Sequence, residues 1–227
     1  MDDIKYLLYA TFIEEGRYRF FLNGLGTTLL LTFSSFLLGT ALGVALCAAK
    51  RSNKTPTRKI ARIIMTFFME TPTMLLLMIF VYVVFGNTAL PILWAVIIGL
   101  TLKAASYLAA IFDSALDTVA PGELEAARTL GMTKWQAFRF IALPQTVTAA
   151  LPLYQNQFVA TLQETSVVGY LAVVDLTRAS TIISSRTLNA FVGLFTVTLL
   201  YFLIGAVVKR VFRCLTARQH HTGGETA

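Results

Sequence analysis

Three ionisable side chains, Glu70, Lys103 and Glu164, stand inside stretches that otherwise hold almost no charge. In a bilayer such a charge is expensive and faces protein or water rather than lipid. At about 1.5 Å of rise per residue, Glu70 and Lys103 lie roughly 10 and 13 Å from the same end of two consecutive spans. That similar depth suits an ion pair between them; the alternative is a Lys103 that faces a cavity alone. Glu164 belongs to the run Gln163-Glu164-Thr165-Ser166. Consecutive side chains point about 100° apart on a helix, so these cannot all face one side. Either the helix unwinds there or the span lines a wet cavity, and both are tolerated only away from lipid. A carboxylate beside unwound backbone near the midplane suits an ionic solute, an ammonium or a guanidinium. The alternative is that Glu164 pairs with Arg178 or Arg186 and fixes helix packing.

Other chemistry is missing from the sequence. No G-x-x-x-x-G-K-[ST] run offers a phosphate cradle for ATP. Cys47 and Cys214 are far apart, and no His/Cys cluster or Ser/His/Asp spacing suggests a metal or a nucleophile. His220 and His221 sit in a polar tail with Gly223 and Gly224. The expectation is a chain with no catalytic residues, no metal and no cofactor of its own.

The elements that must position the three charges are membrane spans. Of 227 residues, 56% are hydrophobic and 14% charged, with a mean hydropathy of +0.68. Soluble domains run at roughly 45–50% and about 25%. This composition excludes a disordered chain, a collagen and a disulfide scaffold, and argues against a soluble enzyme. A net charge of +7 in so apolar a chain belongs to the loops of a membrane protein rather than to nucleic-acid binding. Crossing the bilayer takes roughly 20 apolar residues in a helix. Five segments qualify: 24–49, 63–85 (interrupted by Glu70 and Pro72), 89–112, about 146–174 with Pro152 early, and 188–208. Met1-Asp2-Asp3 opens without the basic stretch of a secretory signal. Ile4, Leu7, Leu8 and Phe12 recur at helical spacing, which suits an amphipathic interfacial helix over residues 1–22; the alternative is a frayed polar terminus.

Lys and Arg orient the spans. With the N-terminus outside, thirteen of the nineteen basic residues fall on inner segments, among them Lys50, Arg51, Lys54, Arg58, Lys59 and Arg62. Five fall outside, Arg178 and Arg186 included. The bias predicts the N-terminus outside and the C-terminus in the cytoplasm.

The inner segment 113–145 is too long and too patterned for a simple turn. Pro121 suits a first helical turn, and Leu124, Ala127 and Leu130 share a face up to Gly131, a residue that tolerates a left-handed cap. Thr133 and Gln136 read as a capping box. A second short helix then places Trp135, Phe138, Ile141 and Ala142 on one face, with Pro144 as its stop. This hairpin either docks on another protein or merely covers its own spans.

Glu125-Ala126-Ala127, then Gly131, then Ile141-Ala142-Leu143-Pro144 resembles the EAA loop of permease subunits of ATP-binding-cassette (ABC) importers. Asn23-Gly24-Leu25, Thr28-Leu29, Thr71-Pro72, Tyr107, Leu143-Pro144-Gln145, Pro152 and Thr165-Ser166 extend the likeness over residues 23–208, toward the polar amino-acid branch. The resemblance implies an all-α, type I importer permease with five transmembrane helices, an N-terminal interfacial helix and a cytoplasmic helical-hairpin coupling loop. Its divisions would be 1–22, a permease domain over 23–212 with the coupling loop at about 113–145, and a cytoplasmic tail over 213–227. It implies that Glu125, Ala126, Ala127, Gly131, Leu143 and Pro144 couple to a cytoplasmic ATPase dimer that binds the ATP and Mg. It further implies a second permease subunit (identical or homologous), an external solute-binding protein, and residence in a bacterial inner membrane. The cargo would be amino acids or related polar solutes, opine-like compounds among them.

Several positions depart from the branch pattern. Met69-Glu70 stands where an Arg is common, and Ala110 and Asp113 replace a usual Glu and Arg after Tyr107. The usual Lys-Asp/Asn-Thr-Ser of the fourth span reads Gln163-Glu164-Thr165-Ser166. Two other functions compete. Five spans could form half of an inverted-repeat secondary transporter, but the charge bias opposes the dual topology this requires. A non-transporting scaffold leaves the polar Gln163–Ser166 run unexplained.

Overall fold

The computed structural model describes residues 9–221, with side chains through residue 214. Ile4, Leu7 and Leu8 of the expected interfacial helix, and the side chains of His220 and His221, lie outside the described part. Among the described residues the regular structure is entirely helical. A short 3-10 turn at Glu14–Gly16 leads into α1, Tyr18–Lys50. Next come α2 (Thr55–Glu70) and α3 (Thr73–Met78), which widens into a π turn over Ile79–Val84. Then follow α4 (Ile92–Leu116), α5 (Pro121–Thr129) and α6 (Lys134–Ala137). A π turn at Phe138–Ala142 joins α6 to α7 (Leu143–Glu164), and a 3-10 segment, Thr165–Leu171, precedes α8 (Leu176–Thr187) and α9 (Ala190–His221).

Helices α1, α4 and Ala190–Cys214 of α9 are each long and apolar enough to cross a membrane. Two broken pairs, Thr55–Glu70 with Thr73–Val84 and Lys134–Leu171 with Leu176–Thr187, bring the number of spans to as many as five. The expected edges shift at both ends. Helix α1 begins at Tyr18, inside the segment assigned to an interfacial helix, and α9 runs on to His221, past residue 212.

Pro144 does not stop the hairpin's second helix. Proline donates no backbone hydrogen bond and its ring crowds the carbonyl four residues back. The chain absorbs this in the π turn, where the amide of Leu143 reaches back to the Phe138 carbonyl and the helix continues as α7. Residues 176–187, expected as an outer loop, form α8, capped by Asp175, whose carboxylate accepts from the amides of Thr177 and Arg178 at 3.1 and 2.8 Å.

The described residues form two compact units. Of the described residues, 9–36, Thr71–Thr101 and 158–221 belong to the first. Its apolar centre sets Leu31 against Leu77, Val96, Leu100 and Val168, while Phe21, Leu176, Ile183 and Val197 make a second cluster. A Cβ on Gly24 would fall 2.7 Å from the Asp175 carbonyl oxygen, so only glycine lets α1 approach the start of α8 this closely. The second unit draws on Leu37–Glu70 and Leu102–Gln157. Cys47, Met65 and Ala109 are its core, and Gly43 brings α1 to within 3.0 Å of the Leu108 Cβ, counted from where its own Cβ would be. Gly43, at the end of the small-residue run Gly39-Thr40-Ala41-Leu42-Gly43, thus serves close helix packing.

Candidate functional site

In the second unit the hairpin is built by local rules. Pro121 occupies the first turn of α5, where its missing N–H costs nothing. At the other end Gly131 takes φ +90°, its amide reaches the Arg128 carbonyl, and the Met132 amide reaches the Ala127 carbonyl. These paired bonds are a Schellman cap, which needs a residue at ease with positive φ. Thr133 and Gln136 then close the capping box, the Thr133 amide donating to Oε1 of Gln136 at 2.8 Å and the Gln136 amide donating to Oγ1 of Thr133 at 3.2 Å. Gln145 donates to Glu123, tying α7 to α5.

The hairpin does not bury the face the periodicity indicates. Ala127 is buried, but Leu130 is 84% exposed, because it is the last residue before the cap and the chain turns away there. Ala137 and Ala142 point inward, whereas Trp135 stacks on Phe138 at 5.8 Å and stays 64% exposed. Phe140 is exposed to the same degree. Glu125, Ala126, Gly131, Leu143 and Pro144 are exposed as well, and Glu125, Arg128, Gly131 and Met132 border a shallow cleft. A surface this apolar on one short hairpin marks an interaction site.

Asp113, at a departure from the family pattern, anchors the root of this hairpin. Its carboxylate lies 2.7 Å from Lys50 Nζ and 2.7 Å from an Arg51 amino group, and Arg51 also reaches Asp117 at 2.8 Å. Partial burial counts against the charge on Arg51, but its bonds to Asp117 and Asp113 outweigh this and hold its pKa above the ordinary value. No pattern flagged this cluster in advance; the signal was a Lys-Arg pair ending one span and two acids ending another.

No ion pair joins Glu70 to Lys103 among the described residues. Glu70 is exposed, whereas Lys103 is 4% exposed, with Nζ 5.9 Å from the centre of the Tyr107 ring. The Tyr107 hydroxyl donates to the Met69 carbonyl at 3.1 Å, so the end of α2 is held through its backbone rather than through Glu70. Equal depth on neighbouring spans did not bring the two charges to one face.

In the first unit the α-helical ladder ends at Glu164 and tightens into the 3-10 segment, so the span changes helix type at the polar run but does not unwind there. Gln163 is exposed, Glu164 and Ser166 are half-buried, and Thr165 is buried, its hydroxyl bonded to the Leu162 carbonyl at 2.7 Å and 3.5 Å from the Tyr201 hydroxyl. Oγ1 of Thr73 donates to Glu164 at 3.3 Å. Thr73 is the first residue after the Thr71-Pro72 break, so this bond brings two interrupted spans together at a carboxylate. Among the described residues no ion pair joins Glu164 to Arg178 or Arg186. Arg186 sits over the Phe20 ring and contacts Glu15 at 3.5 Å instead. Thr28, whose hydroxyl accepts from the Leu176 amide at 3.1 Å, and the buried Asp175 complete the framework behind the 3-10 segment. Asp175 had a readable signal, an acid directly before an amphipathic run; Thr28 stood only in the family resemblance, with no role attached, and Tyr201 had no signal.

Residues 36–221, which include the hairpin and all three intramembrane charges, match the family described as binding-protein-dependent transport system inner membrane component. The chain is 30% identical over 217 residues to the probable amino-acid ABC transporter permease protein YckA of Bacillus subtilis, covering 94% of each protein. It is also 30% identical to the histidine/lysine/arginine/ornithine transport system permease protein HisM of Salmonella typhimurium, over 86% of this chain and 87% of that one. A crystal structure of an amino acid ABC transporter with histidines superposes with a TM-score of 0.83 at 29% identity, over 91% of this chain and 98% of the other. With the family match extending from α1 to the end of α9, the chain belongs to the inner membrane components of binding-protein-dependent transport systems, the permease subunits of ABC importers.

Proposed function

We propose that this permease carries amino acids or closely related polar solutes, opine-like compounds among them, across a bacterial inner membrane. It acts with a second permease subunit, identical or homologous, above a cytoplasmic ATPase dimer and below an external solute-binding protein. ATP and Mg are held by the ATPase, and this chain supplies the path and the coupling surface. The N-terminus is outside and the C-terminus is in the cytoplasm, which puts the hairpin on the ATPase side. The exposed apolar hairpin carries the reading: Leu130, Trp135 and Phe140 face outward from a Schellman-capped turn, which a loop that only covered its own spans would not require. The ATPase groove covers them, with Glu125, Ala126, Ala127, Gly131, Leu143 and Pro144 at the contact. Glu164, with Gln163, Thr165 and Ser166, lies on the solute path, where its carboxylate meets the cationic group of the ligand.

The test is reconstitution of the permease with its ATPase in proteoliposomes, with the solute-binding protein outside. ATP hydrolysis should rise when that protein is loaded from a panel of amino acids and opines. A permease that fails to purify with an ATPase, or hydrolysis indifferent to every loaded ligand, overturns the reading.

A further inference from the structure

A cavity of about 680 Å³ lies within the second unit, walled by α1, the inner end of α4, the hairpin and the first turns of α7. Its walls are aliphatic and aromatic, with Val44, Leu116, Leu124, Phe138 and Val147 among them. That volume lies in the range of ordinary ligand pockets, roughly 300–1,000 Å³. The lining suits no polar solute. The hydroxyls of Thr40 and Tyr154 at one end are hydrogen-bonded to each other at 3.0 Å. Val44 and Val147 are exposed, so the cavity opens outward rather than being sealed in the core.

Its length and the charge beside it suit a lipid chain. Along α1 the lining runs from Thr40 to Arg51, about 16 Å at 1.5 Å per residue. Half of a hydrocarbon core about 30 Å thick is ~15 Å, the depth of one leaflet. The cavity ends where charge begins. Residues 50–62 hold Lys50, Arg51, Lys54, Arg58, Lys59 and Arg62 with no acid. Of these only Lys50 and Arg51 form ion pairs among the described residues. Such a basic stretch beside a span attracts anionic headgroups.

We infer that this cavity binds an acyl chain of an anionic phospholipid from the leaflet bordering Lys50–Arg62, with the headgroup among those cations. The bound chain lies against Leu124 and Phe138, so membrane lipid forms part of the bed on which the hairpin rests. This holds whatever solute the permease carries.

The test uses the full-length chain with its partner subunits in vesicles of phosphatidylethanolamine and phosphatidylglycerol, doped with phosphatidylglycerol bearing a diazirine on one acyl chain. After irradiation, adducts should concentrate at least fivefold on peptides covering residues 40–51 and 143–154, relative to residues 191–203 of α9. Diazirine-labelled phosphatidylcholine should label these peptides less. Val44→Trp and Val147→Trp fill the cavity from exposed wall positions and should abolish the enrichment while leaving α9 labelling unchanged. Labelling of the wall peptides no richer than that of α9 in the wild-type protein overturns the inference. Should either variant fail to assemble, the wild-type enrichment and its headgroup dependence still decide.

Discussion

Oδ1 of Asp113 accepts a hydrogen bond from an Arg51 amino group at 2.7 Å, joining the foot of α1 to the last turn of α4 just before the hairpin. Lys50 engages the other oxygen, and Arg51 extends to Asp117. Both side chains of the leading pair are partly exposed, so it contributes about 1 kcal/mol rather than several. Asp113→Asn should lower the melting midpoint of the purified protein by ~2–4 °C. The loss should shrink in high salt and shrink further when Arg51 is already Gln, leaving the part due to the Lys50–Asp113 contact. An undiminished loss in the double mutant contradicts the pairing.

Gly24 and Gly26 are two residues apart on α1 but predict opposite outcomes. A methyl group at Gly24 meets the Asp175 backbone at 2.7–2.9 Å, and backbone cannot swing aside. At Gly26 nothing lies within 4 Å. Gly24→Ala should therefore cost about 1–3 kcal/mol as overpacking, whereas Gly26→Ala should be neutral or stabilise by up to about 1 kcal/mol through helix propensity. Thermal melts of the two variants in one detergent make the comparison; equal effects would refute the close approach of α1 to α8.

Local chemistry was legible in the sequence wherever a few neighbouring residues decide the outcome. Pro121, Gly131 and the Thr133–Gln136 box each act within about one helical turn, and each stands where its spacing put it. The number of apolar segments was legible too, since bilayer thickness alone sets their length. What escaped was settled by the path of the backbone and the facing of side chains rather than by residue type. Leu130 fits the helical stripe but is the last residue before the backbone turns at Gly131. Pro144 reads as a stop, yet a π turn carries the helix past it. Glu70 and Lys103 share a depth, but depth does not fix the face on which a side chain emerges.

Gly131 has nothing within 4 Å of where its Cβ would be, so substitution there tests backbone conformation without a clash. At φ +90° a β-branched residue is disfavoured, while Asn tolerates the left-handed side better. Gly131→Val should leave the protein in the membrane and abolish ligand-stimulated ATP hydrolysis by the complex. Gly131→Asn should retain a measurable part of it. Normal stimulation with valine would remove the hairpin from the coupling role.

Lys54, Lys134 and Arg178 are exposed and report on orientation. In a background with Cys47 and Cys214 replaced, Lys54→Cys and Lys134→Cys should react with a membrane-impermeant maleimide only after the inner face is opened. Arg178→Cys should react in intact cells. Labelling at position 134 from outside would invert the topology and separate the hairpin from any cytoplasmic ATPase.

Glu164 ends the α-helical part of its span and accepts from Thr73, the residue that restarts the other broken span. Two interruptions meeting at one carboxylate make Glu164 the strongest candidate on the solute path. A carboxylate that meets the ligand discriminates by ligand charge; one that only ties α7 to α3 does not. The isosteric Glu164→Gln keeps an acceptor for the Thr73 hydroxyl and removes the charge. Transport of arginine or lysine should then fall at least tenfold more than transport of a neutral amino acid, a difference of about 1.4 kcal/mol in the discriminating step. Thr73→Val removes the donor but keeps the charge, so it should lower transport of both ligands alike and depress the melting midpoint. If Glu164→Gln behaves as Thr73→Val does, with equal loss for both ligands and a lower midpoint, the carboxylate is a packing residue and the solute path lies elsewhere.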